Sequence, residues 1–98
     1  MARSIVQKDT DRCFLCGKNG GAWGLDLHHC FGGALRKKSD KYGLTVRLCH
    51  DTCHLNGVHK DARLNRKVQA YAQKKAMREN DWDVERFIKE FYKNYLEE

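Results

Sequence analysis

The chain has 98 residues, of which 41% are hydrophobic and 33% charged, and this is enough apolar material for one small domain. No apolar run approaches the roughly 18 residues of a membrane-spanning helix, and the N-terminal residues lack the apolar stretch of a secretory signal, so we expect a cytoplasmic protein with no membrane association. The net charge of +6 is concentrated in the first 60 residues, which also hold all five Cys and all five His, and this favours a polyanionic partner such as nucleic acid.

The N-terminal part of the chain contains a polar segment, a cysteine knuckle and a strand. Residues 1–11 are polar and aperiodic, and we predict a flexible N-terminal arm in front of a single domain over residues 12–98. Cys13 and Cys16 lie in a knuckle that is closed by glycines. Residues 22–31 then alternate with period two, which predicts a strand that ends at a pair of glycines.

A second strand and two helices follow. Residues 34–41 predict a basic loop, and residues 42–49 alternate again, so an antiparallel hairpin is favoured over a parallel pair with a crossover. Residues 50–59 are polar and turn-rich. Apolar residues at helical spacing predict one helix over about residues 61–78 and an aromatic-rich one over about residues 83–96.

These elements predict a small α+β fold, with a β-hairpin and a helix covered by a C-terminal helix. The apolar face of the last helix is wide. Most of it is expected to pack on the preceding helix, and part of it offers a contact for a homodimer.

Four of the five cysteines form two close pairs. An odd number cannot pair completely, and a reducing cytosol disfavours structural disulfides, so metal binding is the better interpretation. Cys13 and Cys16 have the spacing at which a turn directs two thiolates to one ion, and Cys49 and Cys53 supply a second pair. We therefore predict a structural zinc. Three residues separate the second pair, so His50 is an alternative to one of its cysteines, and simple hydrophobic packing is the alternative for both.

Four histidines lie in two segments. His28 and His29 end the first predicted strand, and His54 and His59 follow the second cysteine pair. Adjacent strand residues point to opposite faces, so both members of the first pair reach one site only where the strand bends or ends. A metal-free imidazole beside a metal-bound one can take a proton from water near neutral pH, whereas two partly exposed polar residues are the alternative interpretation. Cys30, which follows them, is predicted to pack in the core.

In this order the motifs resemble the HNH endonucleases, which belong to the ββα-metal or His-Me finger nucleases. The similarity covers about residues 12–75 and rests on the segments Cys13-Phe-Leu-Cys16, Leu27-His28-His29, Leu48-Cys49, Cys53-His54 and Val58-His59. The chain is also similar, more loosely, to small HNH-like proteins carried by prophages. The resemblance implies a zinc-stapled ββα-metal domain with an added C-terminal helix, in the cytoplasm of a bacterial or phage-infected cell.

The resemblance also implies a role for each site residue. His29 would be the general base that activates water for attack on a DNA phosphodiester, and His28 would be a ligand of the catalytic divalent ion, together with His54 and His59. Mg²⁺, Mn²⁺, Ni²⁺ and Zn²⁺ are the candidates for that ion. The paired cysteines would hold a separate structural zinc: Cys13, Cys16, Cys49 and Cys53.

The sequence departs from the family pattern at two points. The family's usual Asn on the second strand is absent, since residues 42–45 read Tyr-Gly-Leu-Thr, and Asn56 is the candidate substitute. His54 and His59 are five residues apart, which on a continuous α-helix places them about 140° apart, a poor arrangement for one ion. We therefore expect a turn between them, and His50 with His54 is the rival ligand pair if the segment is α-helical.

Basic residues of the loop and the second strand are predicted to bind backbone phosphates of DNA: Arg36, Lys37, Lys38, Lys41 and Arg47. A solvated charged loop is the alternative. The leading hypothesis is a metal-dependent HNH-type DNA endonuclease or nickase. A zinc-stabilised nucleic-acid-binding module without catalytic activity is the second hypothesis, and a zinc-stabilised protein-interaction module is the third.

Overall fold

The structure of the chain is a computed structural model, and it describes residues 3–96. Its sheet consists of two antiparallel strands, β1 (Leu25–His29) and β2 (Thr45–Cys49). Val46 and Leu48 of β2 are fully buried, because the helices cover this strand. The α+β class and the antiparallel hairpin, both predicted from the period-two alternation, are confirmed.

Within the described residues, three α-helices and one wider helical turn surround the hairpin. The helices are α1 (Arg36–Tyr42), α2 (Ala62–Asn80) and α3 (Val84–Phe91), and the segment His50–Val58 forms a turn with π-helical geometry, called the π-turn below. Asp61 and Asp83 cap α2 and α3, since their carboxylates accept hydrogen bonds from backbone N–H groups of the first turn. None of these helices combines the length and the apolar character needed to cross a membrane.

The prediction of a basic loop over residues 34–41 is wrong, because most of this segment forms α1. The seven residues of α1 are mostly polar and show no apolar periodicity. Contacts between α1 and other parts of the fold therefore stabilise this helix. The buried Ser39 hydroxyl donates to the carbonyl of Phe31 (2.7 Å) and accepts from its N–H (3.1 Å). Gly43 ends the helix in the left-handed conformation (φ 72°), and a Cβ there would collide with the backbone of Arg3.

The C-terminal helix is shorter than predicted, since α3 ends at Phe91 instead of continuing to residue 96. Tyr92 adopts the left-handed conformation (φ 67°), which stops the helix. The chain then folds back, because the buried Gln73 side chain accepts a hydrogen bond from the N–H of Tyr95 (2.7 Å). The aromatic spacing of this segment therefore reflects a shorter helix followed by an irregular segment that returns Tyr95 to the core.

The core lies between the hairpin, α2 and α3. Phe31 packs against Phe87, Phe91 and Tyr95 with ring centroids 5.7, 4.9 and 4.7 Å away. Because Phe87 and Phe91 are fully buried inside the chain, the exposed apolar surface of α3 is limited to residues such as Ile88. A homodimer through the C-terminal helices stays a prediction.

Part of the predicted N-terminal arm packs on β2. The Ser4 hydroxyl donates to the carbonyl of Thr45 (2.5 Å), and the Gln7 side-chain oxygen accepts from the N–H of Arg47 (2.7 Å). These contacts satisfy polar groups along the edge of the strand. The flexibility of the arm and the division of the chain at residue 12 stay predictions, and residues 1–2 and 97–98 lie outside the described residues.

We predict that Phe87→Ala lowers the free energy of unfolding by about 3–5 kcal/mol, because it removes a fully buried ring and leaves a cavity. Ile88→Ala is the matched control, since Ile88 is the next residue of α3 and is 37% exposed. We expect the control to cost less than about 1 kcal/mol. Urea unfolding of the zinc-loaded proteins measures both values, and equal losses would contradict the burial of Phe87.

Candidate metal centres

The structure brings the four paired cysteines together. Their sulfur atoms all lie within 4.8 Å of one another, and the sulfurs of Cys16 and Cys49 are 3.4 Å apart. A tetrahedral zinc with Zn–S bonds of about 2.3 Å needs sulfur atoms about 3.8 Å apart, which these positions nearly satisfy. The group is named here the cysteine cluster, and it could hold a metal ion: Cys13, Cys16, Cys49 and Cys53.

Backbone hydrogen bonds position the first cysteine pair beside the second. In the knuckle, Gly17 has a φ of 77° and its N–H donates to the carbonyl of Cys13 (2.9 Å), which closes the turn. The N–H of Phe14 donates to the carbonyl of Arg47 (2.8 Å) and fixes the knuckle to β2. β2 ends at Cys49 and the π-turn that follows carries Cys53, so the second pair lies beside the first.

The pKa values within the cysteine cluster differ strongly. Burial opposes ionisation of Cys13, but backbone N–H groups of Cys16 and Cys49 stabilise its thiolate and lower its pKa to about 6. Burial, followed by the neighbouring thiol of Cys13, raises the pKa of Cys53 to about 12. Four thiolates cannot share so small a space without a compensating positive charge, and a divalent cation supplies that charge.

His50 and Cys30 have surroundings that differ from those of Cys53. Cys53 lies in the cysteine cluster, whereas the Nδ1 atom of His50 contacts Asp26 (2.7 Å). Cys30 lies outside the cluster and is fully buried, and burial raises its pKa to about 12. Its surroundings are those of a packing residue.

The structure also brings three imidazoles together. Their ligand-type nitrogens lie within 4.8 Å of one another, and the Nε2 atoms of His54 and His59 are 3.0 Å apart. Two nitrogens bound to one tetrahedral ion at about 2.0–2.1 Å are about 3.3 Å apart, so this spacing is suitable for shared coordination. This group is named the histidine cluster, and it could also hold a metal ion: His28, His54 and His59.

The π-turn explains how two histidines five residues apart reach one point. Its hydrogen bonds join residues i and i+5, and the N–H of His59 donates to the carbonyl of His54 (3.2 Å). The two side chains therefore lie above one another on the same face of the turn. A Cβ at Gly57 would be 3.0 Å from the carbonyl oxygen of Thr52, so this wide turn favours glycine.

His28 supplies the buried member of the histidine cluster from β1. Its side-chain Nε2 is buried, and no hydrogen-bond partner for it occurs among residues 3–96. Burial, followed by repulsion from His54 and His59, lowers the pKa of His28 to about 4, so its imidazole is neutral at pH 7. A buried neutral nitrogen without a partner, facing two further imidazoles, fits a metal ligand.

Asp26 orients one imidazole of the histidine cluster, that of His54, through its Nδ1 atom. Its Oδ2 contacts the Nδ1 of His54 (2.9 Å) and the Nδ1 of His50 (2.7 Å). Burial opposes ionisation of Asp26, but the hydrogen bonds from His54 and His50 outweigh it and lower the pKa of the carboxyl. A carboxylate that accepts Nδ1–H leaves Nε2 free as a ligand atom. Asp26 was not among the residues predicted from the sequence, although its place two residues before His28 puts both on one face of β1.

His29 makes a different contact from its neighbour. Its Nε2 is 2.6 Å from Oδ1 of Asp40, a residue of α1. Asn56, the candidate substitute for the missing Asn, is used elsewhere, because its side-chain amide donates to the carbonyl (3.0 Å) and the carboxylate (2.8 Å) of Asp51. The polar partner of His29 is therefore Asp40, which the sequence analysis also missed.

The histidine cluster and His29 line one cleft of about 410 Å³. Arg36, at the start of α1, forms part of its wall, and Asn65 and Gln69 of α2 contribute two amides that the sequence analysis did not identify. The spacing of these amides, i and i+4 on a helix, was the available signal. The cleft thus combines imidazoles, one guanidinium and amides.

The predicted nucleic-acid-binding residues have different surroundings in the structure. Arg36 lines the cleft, and Lys37 and Lys41 are exposed on α1. Lys38 has a partner inside the protein, because its ammonium donates a hydrogen bond to the backbone carbonyl of Glu90 (2.5 Å). Arg47 is half-buried on β2.

Comparisons of the chain with protein-family models, curated proteins and solved structures give no match. Functional interpretation therefore depends on the chemistry of the two clusters and the cleft. The two groups that could hold a metal ion consist of the cysteines and histidines predicted as ligands, and His29 lines the same cleft as the histidine cluster.

We predict that Cys16→Ser abolishes tight zinc binding at the cysteine cluster, because one of four thiolates is lost. Cys16 is exposed, so the substitution removes little core packing. Cys30→Ala is the matched control and should keep the zinc. Metal content after gel filtration measures the difference, and zinc retained in Cys16→Ser or lost in Cys30→Ala would contradict the assignment.

We predict that Asp26→Ala weakens Ni²⁺ binding to the histidine cluster about 10–100-fold, because His54 loses the group that fixes its orientation. Calorimetric titration of zinc-loaded protein measures the affinity. Glu79→Ala removes an exposed carboxylate of α2 and should leave the affinity unchanged. An Asp26→Ala protein with the wild-type affinity would show that the contact does not support a metal ligand.

Proposed function

We propose that this protein is a metal-dependent, HNH-type endonuclease or nickase that hydrolyses DNA phosphodiesters. The observation that carries the proposal is the histidine cluster, in which the buried and unpartnered Nε2 of His28 meets His54 and His59 beside a further imidazole, His29. The order of β1, β2 and a ligand-bearing helical segment supports the ββα-metal topology that the sequence resemblance implies.

The two clusters have different proposed tasks. The cysteine cluster offers four sulfur ligands, a complete tetrahedral set, and would hold a structural zinc. The histidine cluster offers only three protein ligands, which leaves positions for water and substrate. A divalent ion bound there would neutralise the phosphate and stabilise the leaving oxygen.

The ligand set also narrows the choice of that ion. Imidazole nitrogen suits Zn²⁺, Ni²⁺ and related transition ions, whereas Mg²⁺ prefers oxygen ligands. His28, His54 and His59 supply nitrogen only, and Asp26 contacts the far nitrogen of His54. We therefore expect activity with Ni²⁺ or Zn²⁺ to exceed activity with Mg²⁺.

His29 is the proposed general base. It lies in the cleft, next in the chain to the cluster residue His28, and its side chain is 12% exposed, so water can reach it. A neutral imidazole takes a proton from water near pH 7, and this generates the nucleophile for attack on phosphorus.

Arg36 is the proposed phosphate-binding residue of the cleft. A guanidinium presents a planar set of donors that matches phosphate oxygens, and Arg36 lines the same cleft as His29. Lys37 and Lys41 are exposed on the same helix and can contact neighbouring phosphates. Such contacts predict salt-sensitive binding with little sequence preference.

We predict that the wild-type protein nicks supercoiled plasmid in the presence of Ni²⁺ or Mn²⁺ and that His29→Ala reduces the rate about 10²–10⁴-fold, the usual contribution of a general base. Glu79→Gln, on the outer surface of α2, serves as the control with unchanged activity. Equal nicking by the wild type and His29→Ala would remove the general-base role. Salt-dependent DNA binding without cleavage in any metal would favour the non-catalytic binding module.

A further inference from the structure

Asp40 sits on a helix that is firmly attached to the end of β1. Ser39, the preceding residue, is fully buried and makes two hydrogen bonds with the backbone of Phe31, two residues beyond His29. The N–H of Leu44 donates to the carbonyl of Ser39 (2.8 Å), which fixes the other end of α1. The backbone therefore holds Asp40 opposite His29 without help from the Asp40 side chain.

The contact between the two side chains fixes which imidazole nitrogen carries hydrogen. Nε2 of His29 lies 2.6 Å from Oδ1 of Asp40, and an ionised carboxylate only accepts hydrogen bonds. In the neutral imidazole, Nε2 is then the protonated nitrogen and Nδ1 carries the lone pair. Within residues 3–96, no hydrogen bond engages Nδ1 of His29.

A stabilising ion pair is the simpler interpretation of this contact. The Asp40 side chain is 36% exposed, and pairs of this kind contribute only about 0–1 kcal/mol. Helix α1 has stronger attachments through Ser39, Gly43 and Lys38. Stability alone therefore gives little reason for a carboxylate at this position, whereas a carboxylate is one of the groups that commonly orient a functional imidazole.

We propose that Asp40 is a positioning residue that holds His29 by Nε2–H and leaves Nδ1 as the proton-accepting atom. The inference rests on the proposed nuclease function for its catalytic consequence. Asp40 touches neither substrate nor metal in this proposal and acts only through His29.

The test compares Asp40→Ala, which removes the acceptor, with Asp40→Asn, which retains an oxygen acceptor without the charge. For cleavage of a short DNA duplex with Ni²⁺, we expect Asp40→Ala to lower kcat on the order of 100-fold with little change in KM, since general-base catalysis is impaired. Asp40→Asn should stay within about fivefold of the wild type, because only the charge on one hydrogen bond is lost. Glu79→Ala controls for removal of one negative charge.

A second readout does not depend on activity. Nitrogen-15 NMR of the zinc-loaded proteins at about pH 8.5, well above the ordinary pKa of imidazole, reports which nitrogen of His29 carries hydrogen. The wild type and Asp40→Asn should show the Nε2–H form, and Asp40→Ala should show a mixture of both forms. If the wild type fails to cleave DNA, the proposed function fails, and the NMR comparison alone decides the positioning role.

Two results would overturn the inference. One is a wild-type kcat in Asp40→Ala while His29→Ala is inactive, which would mean that the base needs no orienting carboxylate. The other is an unchanged Nε2–H signal in Asp40→Ala. A loss in Asp40→Ala that Asp40→Asn rescues, with the matching NMR change, supports it.

Discussion

The i to i+5 hydrogen bonding of the π-turn is the constraint on which both candidate metal centres depend. This short segment follows Cys49 directly and contains Cys53 and His54, and His59 comes immediately after it. An ordinary α-helix over the same residues would separate the two histidines around the helix axis. The wider turn stacks them, and Gly57 provides the space that the wider turn needs. One stretch of backbone thus supplies ligands of two chemical types to two different places.

The two strands supply further residues of both candidate metal centres. β2 delivers Cys49, and β1 delivers His28 and Asp26 on one face, so the hairpin register sets the distance between sulfur and nitrogen ligands. Two carboxylates contact these imidazoles: Asp26 contacts His54, and Asp40 contacts His29. This arrangement gives neighbouring histidines separate orientations, which is a condition for giving them separate tasks.

Much of this organisation could be predicted from the sequence, and the remainder could not, for physical reasons. Period-two alternation predicted the hairpin, and the spacing of Cys13, Cys16, Cys49 and Cys53 predicted their grouping. Helix α1 could not be predicted, because it is stabilised by the buried Ser39 and by Gly43 in the left-handed conformation. Neither residue contributes to a periodic pattern of apolar residues in the sequence. The end of α3 could not be predicted for a similar reason, since the turn after it is held by a hydrogen bond to Gln73 of α2. Asp40 could not be recognised as the partner of His29, because that contact depends on where α1 lies.

The attachment of α1 to the C-terminal helix has a consequence for the cleft. Glu90 of α3 accepts hydrogen bonds from the Lys38 ammonium, through its backbone carbonyl, and from the Tyr42 hydroxyl (3.1 Å). The same α1 carries Arg36 and Asp40. The seven cysteines and histidines that could hold metal ions all precede α2, whereas the contacts that support this wall of the cleft come from α3. A change in α3 that spares the core can therefore shift this wall without removing a candidate ligand.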